Sequence, residues 1–270
     1  MEAISSGQPL VTIGLPIYNA EAYLADCIES IKAQTLREFE VLAVLDGGTD
    51  RSAEILRKHA DSRFRILDNG RNIGLAATCN RMLELCQTEL LARMDSDDLM
   101  RPERLRRQYD FMQTHPDVDV LGTYFDTIDE TGRVIAGPVA FSTTPEAIRE
   151  EYRVQAALHH PTLMYRVKRI IELGGYPDSH VSEDTILWLR GLSQGFRYAN
   201  LPEVHCSYRI HSSQMMNRLR EATLAALDKA YADFGPQIWG DRAPDYVSGL
   251  NRWERLRRRL KRNLTRLISS

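Results

Sequence analysis

The stretch FEVLAVLDGGTD, residues 39–50, indicates the fold more directly than any other part of the chain. Its first seven residues are apolar except for Glu40. Such a run is typical of a strand that is buried on both faces of a parallel sheet. The polar turn Asp46-Gly47-Gly48-Thr49-Asp50 follows at once. The stretch therefore predicts a central strand with acidic and flexible residues at its carboxyl end.

Strand and helix signals alternate on both sides of this stretch through the first 120 residues. Apolar residues at helical spacing alternate with short apolar runs, the first of which is stopped by Pro16. A β-α repeat of this kind predicts an α/β fold with a mostly parallel central sheet flanked by helices. The other strands are predicted at residues 11–15, 64–67 and 90–94, and the helices begin near residues 20, 52, 75 and 102.

The pattern changes after a further predicted strand at residues 118–125. From there to about residue 210 we expect short strands and helices in mixed order. A long helix is predicted at residues 213–234, followed by a loop between Pro236 and Pro244 and a final helical segment. The pattern indicates one domain over residues 1–212, in halves of about 8–120 and 121–212, with a helical extension over 213–270.

Residues 94–98, Met-Asp-Ser-Asp-Asp, place the carboxylates of Asp95, Asp97 and Asp98, here called the acidic cluster, directly after a predicted strand. These carboxylates cannot easily be buried unpaired, so they either face water or hold a cation. Clustered carboxylate oxygens favour Mg²⁺ or Mn²⁺ over zinc. The alternative is an acidic turn that caps the helix beginning near Pro102.

Two more polar motifs follow predicted parallel strands, Pro16-Ile17-Tyr18-Asn19 and the turn at residues 46–50. The carboxyl ends of parallel strands lie at one edge of a sheet, where ligands bind in open α/β folds. We therefore expect both motifs and the acidic cluster to converge on one site. A nucleotide diphosphate sugar suits such a site, because polar groups bind its base and a divalent cation binds its diphosphate.

The composition excludes several classes of protein. The net charge is -2, whereas residues 251–270 alone carry +7, so the first 250 residues carry -9 and offer no basic patch for nucleic acid. The four cysteines show no Cys-x-x-Cys spacing, which favours a reducing compartment over a zinc site. No leader pattern and no apolar run of about 18 residues is present, so we expect a cytoplasmic protein.

The order of the motifs resembles that of family 2 glycosyltransferases, which have the GT-A fold. The family's opening block, its Asp-Asp-Gly-Ser-Thr-Asp turn, its Asn-x-Gly segment and its Asp-x-Asp metal motif correspond to residues 11–19, 45–50, 72–74 and 94–98. Leu45 stands where the family has the first acid of its paired aspartates. The acceptor-side block and the closing motif correspond to Gly174-Gly175-Tyr176, Ser182-Glu183-Asp184, Trp188-Leu189-Arg190 with Gly195, and Tyr208-Arg209-Ile210-His211.

The resemblance implies a role for each donor-side residue. Asp46 would bind the base of the donor, with uridine expected, and Tyr18 would stack on it. Asp97 would bind Mn²⁺ or Mg²⁺, with His211 reaching the metal or a phosphate. Asp95 would support the metal or the sugar, and Asp98 would be no more than a turn residue. The further donor-binding candidates are Pro16, Asn19, Arg71 and Asn72.

On the acceptor side, the resemblance implies that Asp184 is the general base, with Glu183 and Trp188 as substrate-binding neighbours. It implies direct displacement with inversion, in which a hexose passes from a UDP-sugar to a hydroxyl of a glycan or lipid-linked acceptor. The expected process is bacterial-type surface polysaccharide synthesis. The alternatives are a non-catalytic nucleotide-sugar-binding protein, which would not need the base, and a nucleotidyltransferase, which should carry a Gly-rich loop after the first strand.

Several of these residues also have a purely structural interpretation. Asp46 and Asp50 could cap the helix that begins near residue 52, and Glu183-Asp184 could be an acidic pair in the first turn of a helix. Arg71 and His211 could simply be solvated at the surface. Trp188 could belong to the core or the cleft wall, and His159 and His160 could pack in the interior instead of lining the acceptor cleft.

The basic tail has its own pattern. Trp253, Leu256, Leu260, Leu264 and Leu267 recur three or four residues apart, and Lys and Arg fill the other faces. This pattern predicts a basic amphipathic helix suited to an anionic membrane surface. The alternative is a helix that packs on the acidic body. We therefore expect a cytoplasmic enzyme that is peripheral on the inner face of the cell membrane.

Overall fold

The computed structural model describes residues 8–212 and 220–240. Predictions for residues 213–219 and 241–270, among them the basic tail, lie outside the described residues. The strands in the described part are β1 (Val11–Ile17), β2 (Phe39–Leu45), β3 (Phe64–Asp68), β4 (Leu90–Arg93), β5 (Leu99–Met100), β6 (Val120–Ile128), β7 (Val134–Val139), β8 (Met164–Arg166) and β9 (Tyr198–Arg209). The helices are α1 (Leu24–Lys32), α2 (Ser52–His59), α3 (Leu75–Leu85), α4 (Arg104–Thr114), α5 (Pro145–Glu151), α6 (Val167–Glu172), α7 (Glu183–Ser193) and α8 (Arg220–Trp239).

The first half of the sheet is parallel, in the order β3-β2-β1-β4. Every residue of β1 and nearly every residue of β2 is buried, because helices cover both faces of the sheet. Successive side chains of a strand point to opposite faces. Ile13 accordingly joins the core beneath α1 and α4, whereas Val44 and Leu91 join the core beneath α3 and α7. The α/β architecture predicted from the sequence is confirmed.

Pro16 does not end the first strand, as the sequence predicted, because β1 continues to Ile17. Alternate residues of a parallel strand bond to the neighbour on the same side. The Gly14 carbonyl accepts a hydrogen bond from the Met94 N–H on the β4 side, so Pro16 faces that side as well. β4 ends at Arg93, opposite Gly14, and therefore requires no N–H group from Pro16.

The second half of the sheet is mixed. β8 is antiparallel to β4 and joins the two halves. β6 lies between β8 and β9, antiparallel to the first and parallel to the second, and β7 pairs with β6. The two-residue strand β5, which the sequence does not predict, pairs with the end of β9, with Leu99 opposite Ser207. Because β5 directly follows the acidic cluster, this pairing places the carboxyl end of β9 beside it.

The helix α8 packs against α7 and belongs to the core beneath α3 and α7. The Tyr231 hydroxyl donates a hydrogen bond of 2.6 Å to the Tyr152 carbonyl, and the Trp239 indole donates one of 3.2 Å to the Arg149 carbonyl. α8 continues through Pro236 to Trp239, so the predicted start of the loop at Pro236 is wrong. Burial of the two aromatic side chains offsets the roughly 3 kcal/mol that an interior proline costs a helix. In the described part of the chain, no helix combines the length with the hydropathy that a bilayer span needs.

Candidate active site

A cavity of about 200 Å³ opens at the carboxyl ends of the first strands. The Asn19 side-chain oxygen accepts a hydrogen bond of 2.9 Å from the Thr49 N–H, which ties the turn after β1 to the turn after β2. Tyr18 is 50% exposed at this edge, and Pro16 is buried in β1 just before it. The cavity is lined by Ile17, Asn19, Leu45, Gly47, Gly48, Asp50, Ser52, Ala53, Asp68 and Gly70.

Asp46 holds the loop that follows β3. Its carboxylate is buried, and Oδ1 accepts hydrogen bonds from the Asn69 side chain at 2.8 Å and from the Ile73 N–H at 2.9 Å. Its Oδ2 accepts a third hydrogen bond, from the Gly74 N–H at 3.1 Å. Asp46 thereby fixes the shape of the loop that borders the cavity. The same loop carries two exposed candidates for donor binding, Arg71 and Asn72.

The helix-cap interpretation fits Asp50 and not Asp46. The Asp50 carboxylate accepts hydrogen bonds from the Ser52 N–H at 3.0 Å, in the first turn of α2, and from the Glu21 N–H at 2.8 Å. Asp50 therefore satisfies backbone groups at the start of α2. The bonds of Asp46 all go to the loop after β3 instead.

The carboxylates of the acidic cluster converge after β4. Asp95, Asp97 and Asp98 each offer an oxygen atom within 4.8 Å of the others. Asp98 is fully buried, and its Oδ2 has no hydrogen-bond partner within the described residues. Burial and the charges of Asp97 and Asp95 raise the pKa of Asp98 well above its usual value. A divalent cation would satisfy the buried oxygen and relieve the repulsion, so this donor set fits Mg²⁺ or Mn²⁺.

Asp97 and Asp95 have different neighbours. The Asp97 Oδ2 lies 3.0 Å from the His211 Nε2, so the two predicted metal ligands are side by side. The Asp95 Oδ1 lies 2.6 Å from the Nη1 of Arg93, a side chain that is only 1% exposed. Asp95 is therefore already neutralised by a cation, which suits a supporting role better than that of the principal ligand.

Glu183 and Asp184 lie in the first turn of α7. The Asp184 Oδ1 accepts a hydrogen bond of 2.7 Å from the Thr185 N–H. Burial raises the pKa of both carboxyls, that of Glu183 to about 7 with the charge of Asp184 as the second cause. Arg93 opposes the rise in pKa at both carboxyls, because its side chain leaves β4 on the face that α3 and α7 cover. A buried carboxyl with a raised pKa is suited to general-base chemistry near neutral pH.

Trp188 is a core residue, and its assignment to substrate binding is corrected. Its side chain is fully buried, with 0% exposure. It packs among the rings of Tyr165, Tyr176 and Tyr198, at centroid distances of 6.1 to 6.4 Å. A substrate in the cleft cannot touch a side chain enclosed in this way, so the core interpretation holds.

The two adjacent histidines differ in their surroundings. The His160 Nε2 lies 2.8 Å from the hydroxyl of Tyr176, a residue of the core beneath α3 and α7. The His159 ring stacks on Phe125, with 4.1 Å between centroids. Burial, followed by the charge of Arg93, lowers the pKa of His159 to about 3, so this ring is neutral at physiological pH. His160 therefore packs in the core, whereas His159 stacks on Phe125 and stays partly exposed.

The structure shows three residues at the site whose contribution the sequence did not predict. Asp98 is a buried member of the acidic cluster and not a simple turn residue. Arg93 and Arg209 are buried cations on either side of that cluster. For Arg93 the sequence does hold a signal, because an arginine at the end of an apolar strand and next to three acids marks a counter-charge.

Comparison with known proteins identifies the family. The pattern of "Glycosyl transferase family 2" matches residues 12–174. The amylovoran biosynthesis glycosyltransferase AmsE of Erwinia amylovora is 31% identical over 215 residues, which cover 78% of this chain and 80% of that protein. The UDP-Gal:alpha-D-GlcNAc-diphosphoundecaprenol beta-1,3-galactosyltransferase of Escherichia coli is 26% identical, covering 80% of this chain and 79% of that protein.

Solved structures show the same fold. The structure of S. aureus TarS in complex with UDP-GlcNAc matches with a TM-score of 0.69 at 21% identity, covering 83% of this chain and 66% of that chain. A mannosyltransferase from Pyrobaculum calidifontis in complex with GDP-Man and Mn²⁺ matches with a TM-score of 0.62 at 19% identity, covering 84% of this chain and 64% of that chain. The chain thus spans less than two thirds of each solved structure. With its matched family pattern, its relatives and its GT-A architecture, the chain belongs to glycosyl transferase family 2.

Proposed function

We propose that this glycosyltransferase moves a hexose from a nucleotide diphosphate sugar, with uridine as the base, to a hydroxyl group, with inversion at the anomeric carbon. The observation that carries the proposal is the position of one buried arginine, Arg93, which is ion-paired to Asp95 and leaves β4 on the face of the sheet that α7 covers, the helix that begins with Glu183-Asp184. The cluster suits a cation that neutralises a leaving diphosphate, and the pair suits a base for an incoming hydroxyl. A protein that only bound the donor would need the first group and not the second.

The donor would occupy the half of the domain at residues 8–120. The cavity at the ends of β1 to β3 is the place for the base, with Tyr18 at its edge and Asp46 beneath the adjoining loop. Arg71 and Asn72 are exposed on that loop and can reach phosphate or ribose. Uridine is supported by the named UDP-sugars of the E. coli galactosyltransferase and the TarS complex.

The metal would be Mn²⁺ or Mg²⁺, held by Asp97 and His211 with the buried Asp98 oxygen and Asp95 in support. When bound, such a cation stabilises the negative charge that develops on the leaving diphosphate. The Mn²⁺ in the Pyrobaculum calidifontis complex, whose fold is similar, supports this choice.

The acceptor would bind in the half at residues 121–212, next to α7. Asp184 takes the proton from the acceptor hydroxyl as that oxygen attacks the anomeric carbon in line. Its hydrogen bond from Thr185 sets the direction of the carboxylate, and Glu183 precedes it in the first turn of α7. Arg93 keeps part of the negative charge compensated, so that Asp184 can be ionised near neutral pH.

The acceptor class we propose is a glycan or a lipid-linked glycan, in the assembly of a surface polysaccharide. The names of the relatives support it, since one acts in amylovoran biosynthesis and another on a diphosphoundecaprenol-linked sugar. The composition of residues 251–270 supports a location on the inner face of the cell membrane, where such lipids are extended.

A transfer assay tests the proposal. The full chain is incubated with a panel of UDP-hexoses and GDP-mannose, with lipid-linked and free glycan acceptors, in Mn²⁺ or in EDTA. We expect release of nucleoside diphosphate with a UDP-hexose in Mn²⁺ only, loss of that release in Asp97→Asn, and an inverted linkage by NMR. Release of hexose 1-phosphate in place of nucleoside diphosphate would show a nucleotidyltransferase instead, and donor binding without turnover on any acceptor would show a binding protein.

A further inference from the structure

Arg209 is the last residue of β9, and its side chain is fully buried, with 0% exposure. The pairing of β5 with β9 places it directly behind the acidic cluster. Its backbone N–H donates a hydrogen bond of 2.8 Å to the Asp98 Oδ1. Its Nε donates one of 2.7 Å to the backbone carbonyl of Asp97. One residue thus holds both the side chain of Asp98 and the backbone of Asp97.

The same guanidinium reaches a second segment. Its Nη1 donates hydrogen bonds to the carbonyls of Asp129 at 3.2 Å and Glu130 at 3.1 Å, in the turn between β6 and β7. It also lies over the ring of Tyr23, just before α1, at 4.6 Å from the ring centroid. A planar guanidinium has several donors in fixed directions, so it can bond to these carbonyls and lie over the ring at the same time. A lysine ammonium cannot do both.

Two effects of Arg209 on a bound cation oppose each other. A buried positive charge behind the acidic cluster repels a metal ion. Fixing Asp97 and Asp98 before the metal arrives favours binding, because the ligands need not be ordered at that moment. Three hydrogen bonds from the guanidinium go to backbone carbonyls, so they shape the loop without using the side-chain oxygens of Asp97 or the Asp98 Oδ2.

We propose that Arg209 is a positioning residue that shapes the acidic cluster for its metal by clamping the backbone of Asp97 to the β6–β7 turn. The inference rests on the proposed function, since it takes the cluster to be a metal site. Its role is geometric, so a substitution that keeps the positive charge but loses the planar guanidinium group with its fixed donor directions also impairs metal binding.

The test measures binding of Mn²⁺ alone to the metal-free full chain, by the loss of the free-ion EPR signal, in wild type, Arg209→Lys and Arg209→Met. We expect both variants to bind Mn²⁺ about 10- to 100-fold more weakly than wild type, the range for groups that orient metal ligands. The matched control is Arg166→Met. Arg166 is also mostly buried and donates to three carbonyls, those of Val118 at 3.0 Å, Met112 at 2.8 Å and His115 at 3.3 Å, but it lies at the opposite end of β4.

The outcomes separate the two proposals. Wild-type affinity in both Arg209 variants, or tighter binding in Arg209→Met, would overturn the positioning role while leaving the metal site intact. Weaker binding in Arg166→Met to the same degree would overturn it too, since general destabilisation would then be the cause. Absence of Mn²⁺ binding in wild type would overturn the metal site and with it this inference. Each variant's rise in Tm on adding Mn²⁺ is compared with its own metal-free Tm, so that a loss of stability is measured separately.

Discussion

Asp184 is the residue on which the proposed chemistry depends most directly. The Thr185 N–H orients its carboxylate, and burial raises its pKa. Asp184→Asn keeps the size of the side chain and removes the base. We expect kcat to fall about 10²- to 10⁴-fold, the usual contribution of a general base, with donor binding unchanged. Turnover is measured as nucleoside diphosphate release, and donor binding as the rise in Tm with UDP-sugar and Mn²⁺.

A matched control for that substitution is Asp178→Asn, which removes an exposed carboxylate six residues earlier. It should leave both measurements at their wild-type values. Near-normal turnover in Asp184→Asn, with the donor still bound, would exclude Asp184 as the base.

Glu183 connects the site to the pH dependence of stability. Burial, with the charge of Asp184, raises its pKa from 4.5 to about 7 in the folded protein. The folded state therefore holds this proton more tightly than the unfolded state does. The resulting stabilisation is fully present below pH 4.5 and is lost as the pH rises towards 7.

Glu183→Gln should remove this dependence, because glutamine does not titrate. Between pH 4.5 and 7, we expect the unfolding free energy of the metal-free wild type to fall relative to the variant by up to about 3 kcal/mol. The measurement is urea unfolding in EDTA at several pH values. Parallel curves for the two proteins would contradict the raised pKa.

At the scale of elements, the turn after β2 and the loop after β3 form one unit. Gly47 has a φ of 68°, and a Cβ added there would lie 2.3 Å from backbone atoms of Arg71 and Asn72. That loop is the one that Asp46 holds by three hydrogen bonds. The side of the site that we propose binds the donor therefore depends on the absence of a side chain at position 47.

Gly47→Ala should push the loop away and weaken donor binding. The matched control is Gly195→Ala, at a φ of 80° with no atom within 4 Å of the added Cβ. Both variants carry the left-handed backbone cost of about 1–2 kcal/mol, but only Gly47→Ala should also lose affinity for UDP in Mn²⁺, as calorimetry would show. An equal loss of affinity in the two variants would mean that the contact between turn and loop does not shape the donor site.

The elements that the sequence predicted best are those with a strong local pattern. β2 has the predicted bounds of residues 39–45, because a continuous apolar run specifies a buried parallel strand by itself. β5 was missed, because a two-residue strand is defined only by its partner β9, more than a hundred residues away in the chain. The continuation of β1 through Pro16 and of α8 through Pro236 likewise depends on neighbours that no local pattern shows.

In the candidate site, too, the sequence predicted local features and missed those that depend on contacts between distant segments. The clustering of acids was visible in the sequence because Asp95, Asp97 and Asp98 are adjacent. The burial of Asp98 and the clamp from Arg209 were not, because they arise from contacts between distant segments. Likewise, the pattern of apolar residues in α7 could not decide between core and cleft wall for Trp188.

At the scale of the whole molecule, charge is unevenly distributed along the chain. Residues 251–270 carry +7, and the first 250 residues carry -9. The described chain ends at Gly240, just after α8, which packs on α7 and donates hydrogen bonds from Trp239 and Tyr231 to the end of α5. α8 is therefore part of the body, and any truncation that tests the tail has to leave it in place.

The point where α8 ends gives the tail hypothesis a geometric consequence. α8 packs on the half that we propose binds the acceptor, so a tail on the membrane would keep that half close to lipid-linked glycans. A chain ending at Pro244 retains α8 and removes the basic tail. We expect the full chain to float with liposomes that contain anionic lipid, and the shortened chain to remain in the dense fraction.

Two controls distinguish membrane binding from packing of the tail on the body. Liposomes without anionic lipid, or high salt, should release the full chain, because the attraction depends on charge and is screened. Arg257→Gln combined with Arg258→Gln and Arg259→Gln should weaken flotation while keeping the apolar stripe. If the tail instead packs on the acidic body, both chains should float equally little, and the shortened chain should have a lower Tm because it has lost that packing. Flotation and Tm measured on the same two chains therefore decide where the positive charge of the tail is placed.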